Sequence, residues 1–343
     1  MSKLNNDIFC LIFEELRDDE KTLYSCLSIN KEFLNFQIHL IPGAESCLSE
    51  IKFLRCNASV ENYILDGLTE ICKSIKELEV LFEKNNNYGI VNLIKNQKNL
   101  FNVCLFDFYK RHESFNNIIE NSLIKHANTM QYFKITKPPV INLLSSFVNL
   151  RVLELELNGD YRDYNYLKNV TLPFLQVLKT RFVPTSILIS LIENTSGSLI
   201  DISMKSSTSN NVTNNKKIIQ TIYQKCQNLM YLKLVLRNSS ISELEELLIR
   251  CQYLDELYLF DYDGIDLNNL FRILTRSSPT NLFKFKFSFS QIDLDSLELF
   301  FENWKGRHPM ILQFVRQTED IEVLIEKYKS EGVIKNYNSD LVL

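Results

Sequence analysis

The chain has 343 residues, 45% hydrophobic and 23% charged, with a formal charge of −4 and a pI near 5.8. That balance excludes global disorder and leaves room for one large core or two domains, and it gives no net pull toward nucleic acid or an anionic membrane. No apolar run reaches the roughly 18 residues that cross a bilayer, and "IFCLIF" is too short and too closely flanked by Asp7, Glu14 and Glu15 for a signal peptide, so the expected address is cytoplasm and/or nucleus.

The first predicted element is a helix from Leu4 to about Leu16. Ile8, Phe9, Cys10, Ile12, Phe13 and Leu16 cover roughly 200° of its wheel, where a surface helix needs a stripe of about 100°. A break at "RDDE" follows, then "KTLYSCLSINKEFLNFQIHLI" up to Pro42-Gly43. A unit of this size buries too little surface to stand alone, so residues 1–42 imply something to pack against, either the rest of the chain or a second protein. Residues 43–74 read as a helical connector.

From Ile75 a short phrase recurs. Its clearest copies are "NLRVLELELN" at 149, "NLMYLKLVLRN" at 228, "YLDELYLF" at 253 and "NLFKFKFSF" at 281; weaker ones begin at Ile75, Leu100, Met130, Leu175 and Leu199. Each of the clear copies is apolar at positions one, four and six, and the successive starts of all nine lie roughly 20 to 30 residues apart. Positions four and six share one face of a period-two strand and point inward, while three, five and seven point to solvent. Helix-like segments lie between the phrases: "TSILISLIENT", "KKIIQTIYQKC", "SISELEELLIRC" and "LNNLFRILTRS". In the third, Ser240 and Glu243 have capping-box spacing. The polar insertions "KRHESFNN" (110–117) and "SSTSNNVTNNKK" (206–217) read as exposed loops. Thr180 falls at an inward sixth position and Asn158 at a ninth. Residues 75–317 are therefore a stack of strand-helix repeats, none able to bury its own apolar faces alone. "TEDIEVLIEKYKSEG" (318–332), apolar at Ile321, Leu324, Ile325 and Tyr328, is the amphipathic helix that caps the stack, with a tail to residue 343. The sole tryptophan, Trp304, reads as packing at the last turn.

With its "C-x-N-L" lead-in at Cys226 to Leu229, echoed at Cys251 to Leu254, this portion resembles the leucine-rich repeats that follow an F-box. The opening stretch resembles that F-box: Leu4 stands at its leading Leu, Ile8, Ile12 and Phe13 match its helix, Leu16 closes it, and "LYSCLSINKEF" matches its second half, with Asn5 in place of the usual Pro and Phe33 in place of the common Trp. The resemblance implies an α/β chain, a small helical F-box at 1–42 followed by an irregular solenoid with parallel strands on its concave face and helices on its convex face. It also implies a substrate-recognition subunit of a Skp-Cullin-F-box ubiquitin ligase. Leu4, Asn5, Ile8, Ile12, Phe13, Leu16, Leu23 and Phe33 would then dock a Skp-family adaptor, and through it a cullin, while the repeats hold an unknown protein substrate. The residues alone leave a second reading open, a repeat scaffold that binds a partner without any ligase.

No Walker loop, G-x-G-x-x-G, G-x-S-x-G or H-E-x-x-H occurs, and the four histidines are scattered, so neither catalysis nor a cofactor is expected. The eight cysteines lack C-x-x-C or paired His/Cys spacing; they read as reduced, buried residues rather than metal ligands. Neither nucleic acid nor a membrane is an expected partner. The repeat phase sends Glu77, Glu79, Glu154, Glu156, Lys284 and Lys286, among others, to the solvent side of the strands. Tyr132, Lys134, Lys179, Arg181, Lys205, Tyr231, Lys233, Tyr258 and Phe260 are the candidate substrate-binding set on that side, because exposed aromatics beside cations suit an acidic or phosphorylated segment.

Overall fold

A computed structural model describes residues 45, 48–83, 87–107, 113–157, 164–205, 212–261, 264–289, 291–315 and 319–338. The helix-and-break unit at 1–42, and with it every expected adaptor contact, lies outside the described residues, as does Asn158. The chain divides into two compact units, 1–156 and 157–343.

In the first unit the apolar phase of the repeat becomes strand pairing. Strands β1 (Phe53–Asn57), β2 (Glu77–Phe82), β3 (Asn102–Asp107), β4 (Tyr132–Ile135) and β5 (Val152–Glu156) run parallel in chain order, with helices α1 (Asn62–Ile71), α2 (Tyr88–Asn96) and α3 (Glu113–Ile124) as crossovers. Fourth-position residues stand in register, Leu54 beside Leu78, Val103, Phe133 and Leu153, all at most 4% exposed. Gly89 is required where α2 meets α1, since a Cβ there would come within 2.8 Å of Leu65 Cβ.

The second unit repeats the scheme. Strands β6 (Val177–Arg181), β7 (Asp201–Lys205), β8 (Tyr231–Val235), β9 (Glu256–Phe260), β10 (Lys284–Ser288), β11 (Met310–Phe314) and β12 (Ile334–Asn338) pair parallel in order. Between them lie α4 (Thr185–Glu193), α5 (Val212–Lys225), α6 (Ile241–Arg250), α7 (Leu267–Ser277), α8 (Leu294–Trp304) and α9 (Glu319–Ser330). The matching column is Leu178, Ile202, Leu232, Leu257, Phe285 and Leu312, none above 2% exposed. Each such side chain stabilises the fold by about 1.5–3 kcal/mol through burial. Successive helices lock together on the same side, as where Phe271 of α7 stacks on Phe300 of α8 at 4.8 Å. Parallel strands covered by helices on one face leave the other face, at positions three, five and seven of β5, β6, β9 and β10, half-exposed or exposed. Among the described residues no helix is long and apolar enough to cross a membrane.

Several expectations need correction. Residues 43–74 are not purely helical, because β1 lies within them in the same apolar phase, with Ile51 and Leu54 buried. The polar stretch 110–117 enters α3 at Glu113, and Phe115 is fully buried. Likewise 206–217 is not a loop throughout, since α5 begins at Val212 and Asn215 is buried, its amide donating to Val235 O at 2.8 Å. The Ser240–Glu243 capping box does not form. Among the described residues Ser240 Oγ is buried without a partner, and Glu243 turns instead to Tyr223 Oη at 3.1 Å and Lys216 Nζ at 3.0 Å on α5. The predicted cap is present as α9, with Ile321, Ile325 and Tyr328 buried, but a further strand, β12, follows it.

Candidate functional site

On the second unit's open strand face, the fifth-position row reads Lys179, Ser203, Lys233, Tyr258, Lys286 and Gln313 across β6 to β11. The seventh-position row sets Arg181 beside Lys205, and Phe260 beside Ser288. Neither row contains a carboxylate. Lys233 Nζ lies 4.1 Å and Lys286 Nζ 5.0 Å from the centroid of the Tyr258 ring, which meets Phe260 edge-on at 5.8 Å. Each ammonium group is drawn to the negative quadrupole of the one ring, and the two repel one another. Burial pulls Lys233 down to about 8, and the charges of Lys205 and Lys286 add to the effect. Among the described residues, Lys205, Lys233 and Lys286 form no ion pair.

One alternate step back along the strands the sign changes. That row carries Asp201, Tyr231, Glu256 and Lys284. Lys284 bonds Asp255 at 3.3 Å and stands 4.0 Å from Glu256. Burial raises Tyr231, and the carboxylates of Glu256 and Asp201 push it further. At the other margin, the Arg181 guanidinium lies 5.0 Å from the ring of Phe182, whose backbone sits at φ 58°, a region a bulky residue rarely adopts.

The first unit's strand face differs. Lys134 is held between Glu156 at 2.9 Å and Glu154 at 3.2 Å, with the Phe106 ring 5.4 Å away. Burial alone would lower its pKa, but the bonds to Glu156 and the charge of Glu154 outweigh that and hold it above the usual lysine value. Tyr132, Cys104, Asn102, Glu77, Glu79 and Phe53 line a cavity of about 230 Å³ there. The Cys104 thiol is pushed up to about 12, chiefly by burial and then by Glu79, so it is a poor nucleophile.

Of the nine candidate substrate contacts, Lys179, Arg181, Lys205, Tyr231, Lys233, Tyr258 and Phe260 share the second unit's face, while Tyr132 and Lys134 belong to the first unit. Lys286 joins the cluster without having been in that set; its place in the fifth-position row was the available signal. Among the described residues no cluster of His, Cys, Asp and Glu has the makings of a metal site.

No protein-family profile matches the chain, and no curated protein matches it. Among solved structures, it is similar to a chain of the Rad7–Elc1 complex from yeast, at 14% identity over 90% of this chain and 88% of that one, with a TM-score of 0.49. It is also similar to the leucine-rich repeat-containing protein LegL7 from Legionella pneumophila, at 14% identity over 83% and 88%, with a TM-score of 0.43.

Proposed function

We propose that this protein is the substrate-recognition subunit of a Skp-Cullin-F-box type ubiquitin ligase, with residues 1–42 docking the adaptor and the repeats holding the substrate. The support for the first half is the F-box-like order of Leu4, Ile8, Ile12, Phe13 and Leu16 ahead of the repeats. The observation that carries the second half is the cationic, aromatic face formed by Lys233 and Lys286 about Tyr258, with Lys205 near enough to Lys233 to act on its charge. A half-exposed strand face with an aromatic anchor and unpaired cations has the composition of a protein-binding surface.

Affinity capture with the full chain, followed by identification of what is retained, tests both halves. An adaptor and a cullin should co-purify. Ile8→Asp or Ile12→Asp should abolish that capture while the thermal transition of the repeats persists, because an unpaired carboxylate at a buried contact costs several kcal/mol. Adaptor retained by these variants refutes the docking assignment. A wild-type chain that retains a partner but no adaptor supports the second reading, a repeat scaffold without ligase association. Reversing charge at Lys205, Lys233 and Lys286 together should release the substrate and leave the adaptor bound.

A further inference from the structure

We propose that Lys233 is a carbon dioxide site: its side-chain amine adds to CO2, and the carbamate so formed is stabilised as an anion by the ammonium groups of Lys205 and Lys286. This chemistry belongs to the amine itself and holds whether or not the face docks a partner.

Addition to CO2 needs an unprotonated amine, because the nitrogen lone pair forms the new bond. The strand face supplies one. Lys233 stands on β8 between Ser203 of β7 and Tyr258 of β9, half-buried, with its Nζ 4.1 Å from the centroid of the Tyr258 ring. Of the charged groups around it, Lys205 on β7 and Lys286 on β10 disfavour its proton, and Lys179 and Arg181 on β6 add to the positive field. The carboxylates Asp201 and Glu256 lie one alternate step back, beside Tyr231, with Lys284 4.0 Å from Glu256. Burial holds the hydroxyls of Tyr231 and Tyr258 above the usual tyrosine value, so neither supplies a counter-charge. Burial and the two lysines leave the amine at about 8. About a fifth of it is then neutral at pH 7.4, against roughly one part in a thousand for an ordinary lysine.

The charge of the product selects CO2 over other electrophiles. The amine nitrogen bonds the carbon of CO2, one carbon–oxygen π pair moves onto oxygen, and the nitrogen gives up a proton to water, so a neutral amine becomes a carbamate anion with no oxidant or further reactant. Lys233 thereby changes from cation to anion, and its repulsions with Lys205 and Lys286 become attractions that no carboxylate of their two rows competes for. An acyl group would only erase the charge of Lys233 and leave the other two cations without a counter-ion. The same cations disfavour protonation of the carbamate, the step that releases CO2 again.

The full-length chain is equilibrated with isotopically labelled bicarbonate and CO2, carbamates are trapped as ethyl esters with triethyloxonium ion, and the label is located by peptide mass spectrometry. At pH 7.4 we expect the label on Lys233 to exceed that on Lys217 and Lys225, exposed on α5, by at least roughly tenfold. Lys205→Gln with Lys286→Gln leaves Lys233 in place but removes its flanking cations, and should lower its label at least roughly fivefold, while a thermal midpoint followed by Trp304 emission reports that the unit stays folded. Lys286→Gln alone should give an intermediate loss, which keeps the comparison open if the double variant does not fold. At fixed dissolved CO2 and low occupancy the yield should rise roughly a hundredfold per pH unit below about 8, where two protons are released, and roughly tenfold above it, where one is. Label spread evenly over the lysines, or label on Lys233 that is unchanged in these variants, overturns the proposal. So does a parent chain in which fluorodinitrobenzene or an acyl thioester modifies Lys233 first but no carbamate is trapped there, since the amine is then reactive without holding CO2.

Discussion

Glu120 is 3% exposed, and its carboxylate accepts from Val140 N at 2.8 and 3.0 Å and from Ile141 N at 2.9 Å, fixing the Pro-Pro turn that follows β4. Buried backbone donors left without an acceptor cost about 1–3 kcal/mol each. Glu120→Ala should therefore lower the urea midpoint by an amount equivalent to about 2–4 kcal/mol, and Glu120→Gln, which keeps an acceptor oxygen, by less. An alanine variant as stable as the parent means that water or a shifted loop takes the donors. Lys233 poses the opposite problem, a cation held where its charge is unwelcome. Its folded pKa, about 8, lies below the ordinary 10.5, so between those values the unfolded chain binds more protons and stability rises with pH. Below about 8 the full penalty is present. Lys233→Met should accordingly raise the melting temperature at pH 7, and the gain should shrink as pH climbs from 8 toward 10.5. A gain that is flat across that range comes from packing of the methionine rather than from discharge. Lys233 and Lys134 together show why phase alone was an incomplete guide. The repeat correctly turned Lys233 and Lys134 to the strand face, but only the side-chain geometry tells that Glu154 and Glu156 neutralise one while Lys205 and Lys286 oppose the other.

Between residues and the whole lies the lead-in that precedes each strand, and it is stitched from repeat to repeat by small polar groups. Cys72 Sγ donates to Leu48 O at 3.2 Å, Gln97 Nε2 to Cys72 O at 2.8 Å, and Cys251 Sγ to Cys226 O at 3.6 Å. All five described cysteines are free thiols, four of them buried, and Cys72, Cys226 and Cys251 are pushed up to about 12 chiefly by burial. Gln97 also accepts from Ile75 N at 3.1 Å and donates to Leu93 O, so Gln97→Leu strands groups in two repeats at once and should cost about 2–4 kcal/mol by denaturant titration, where Cys251→Ala should cost about 1. Comparable losses for the two would mean that the column works by packing alone. The column was legible from "C-x-N-L" at Cys226 and its echo at Cys251, and hidden at Cys72, where Lys-Ser-Ile follows, and at Gln97. Strands escaped notice for similar reasons: β11 has Pro309 where other phrases begin with an apolar residue able to donate, and β12 joins β11 through an irregular register between Met310 and Ile311. The nine phrases that were legible all became strands, because a fixed phase of leucines, isoleucines and phenylalanines satisfies only one pleat.

At the scale of the molecule, a stack whose repeats touch only their neighbours must finish somewhere, and the second unit finishes on α9 and β12. Tyr328 packs against Phe301 at 5.0 Å and donates to Glu302 at 2.6 Å, Lys327 pairs with Glu298 at 2.7 Å, and Phe314 lies 6.4 Å from Tyr337. Gly332, at φ 76°, turns the chain from helix to strand, with Val333 N reaching back to Tyr328 O at 3.0 Å. Removing residues 318–343 should uncover Phe301, Met310 and Phe314, raise binding of an apolar dye and lower solubility. Trp304 allows loss of this cover to be told from unfolding. Its indole meets Phe285 at 5.2 Å, Phe300 at 5.5 Å and the Arg307 guanidinium at 4.2 Å, and its N–H donates to His308 O at 3.0 Å, all outside the deleted segment. Its emission should therefore keep a buried wavelength in the truncated chain even as dye binding rises. Dye binding and solubility unchanged from the full chain would show that α9 and β12 do not cover the last repeat. A red-shifted emission with loss of the thermal transition would show that they are part of the second unit's cooperative core, so that the repeats cannot be shortened from this end without unfolding.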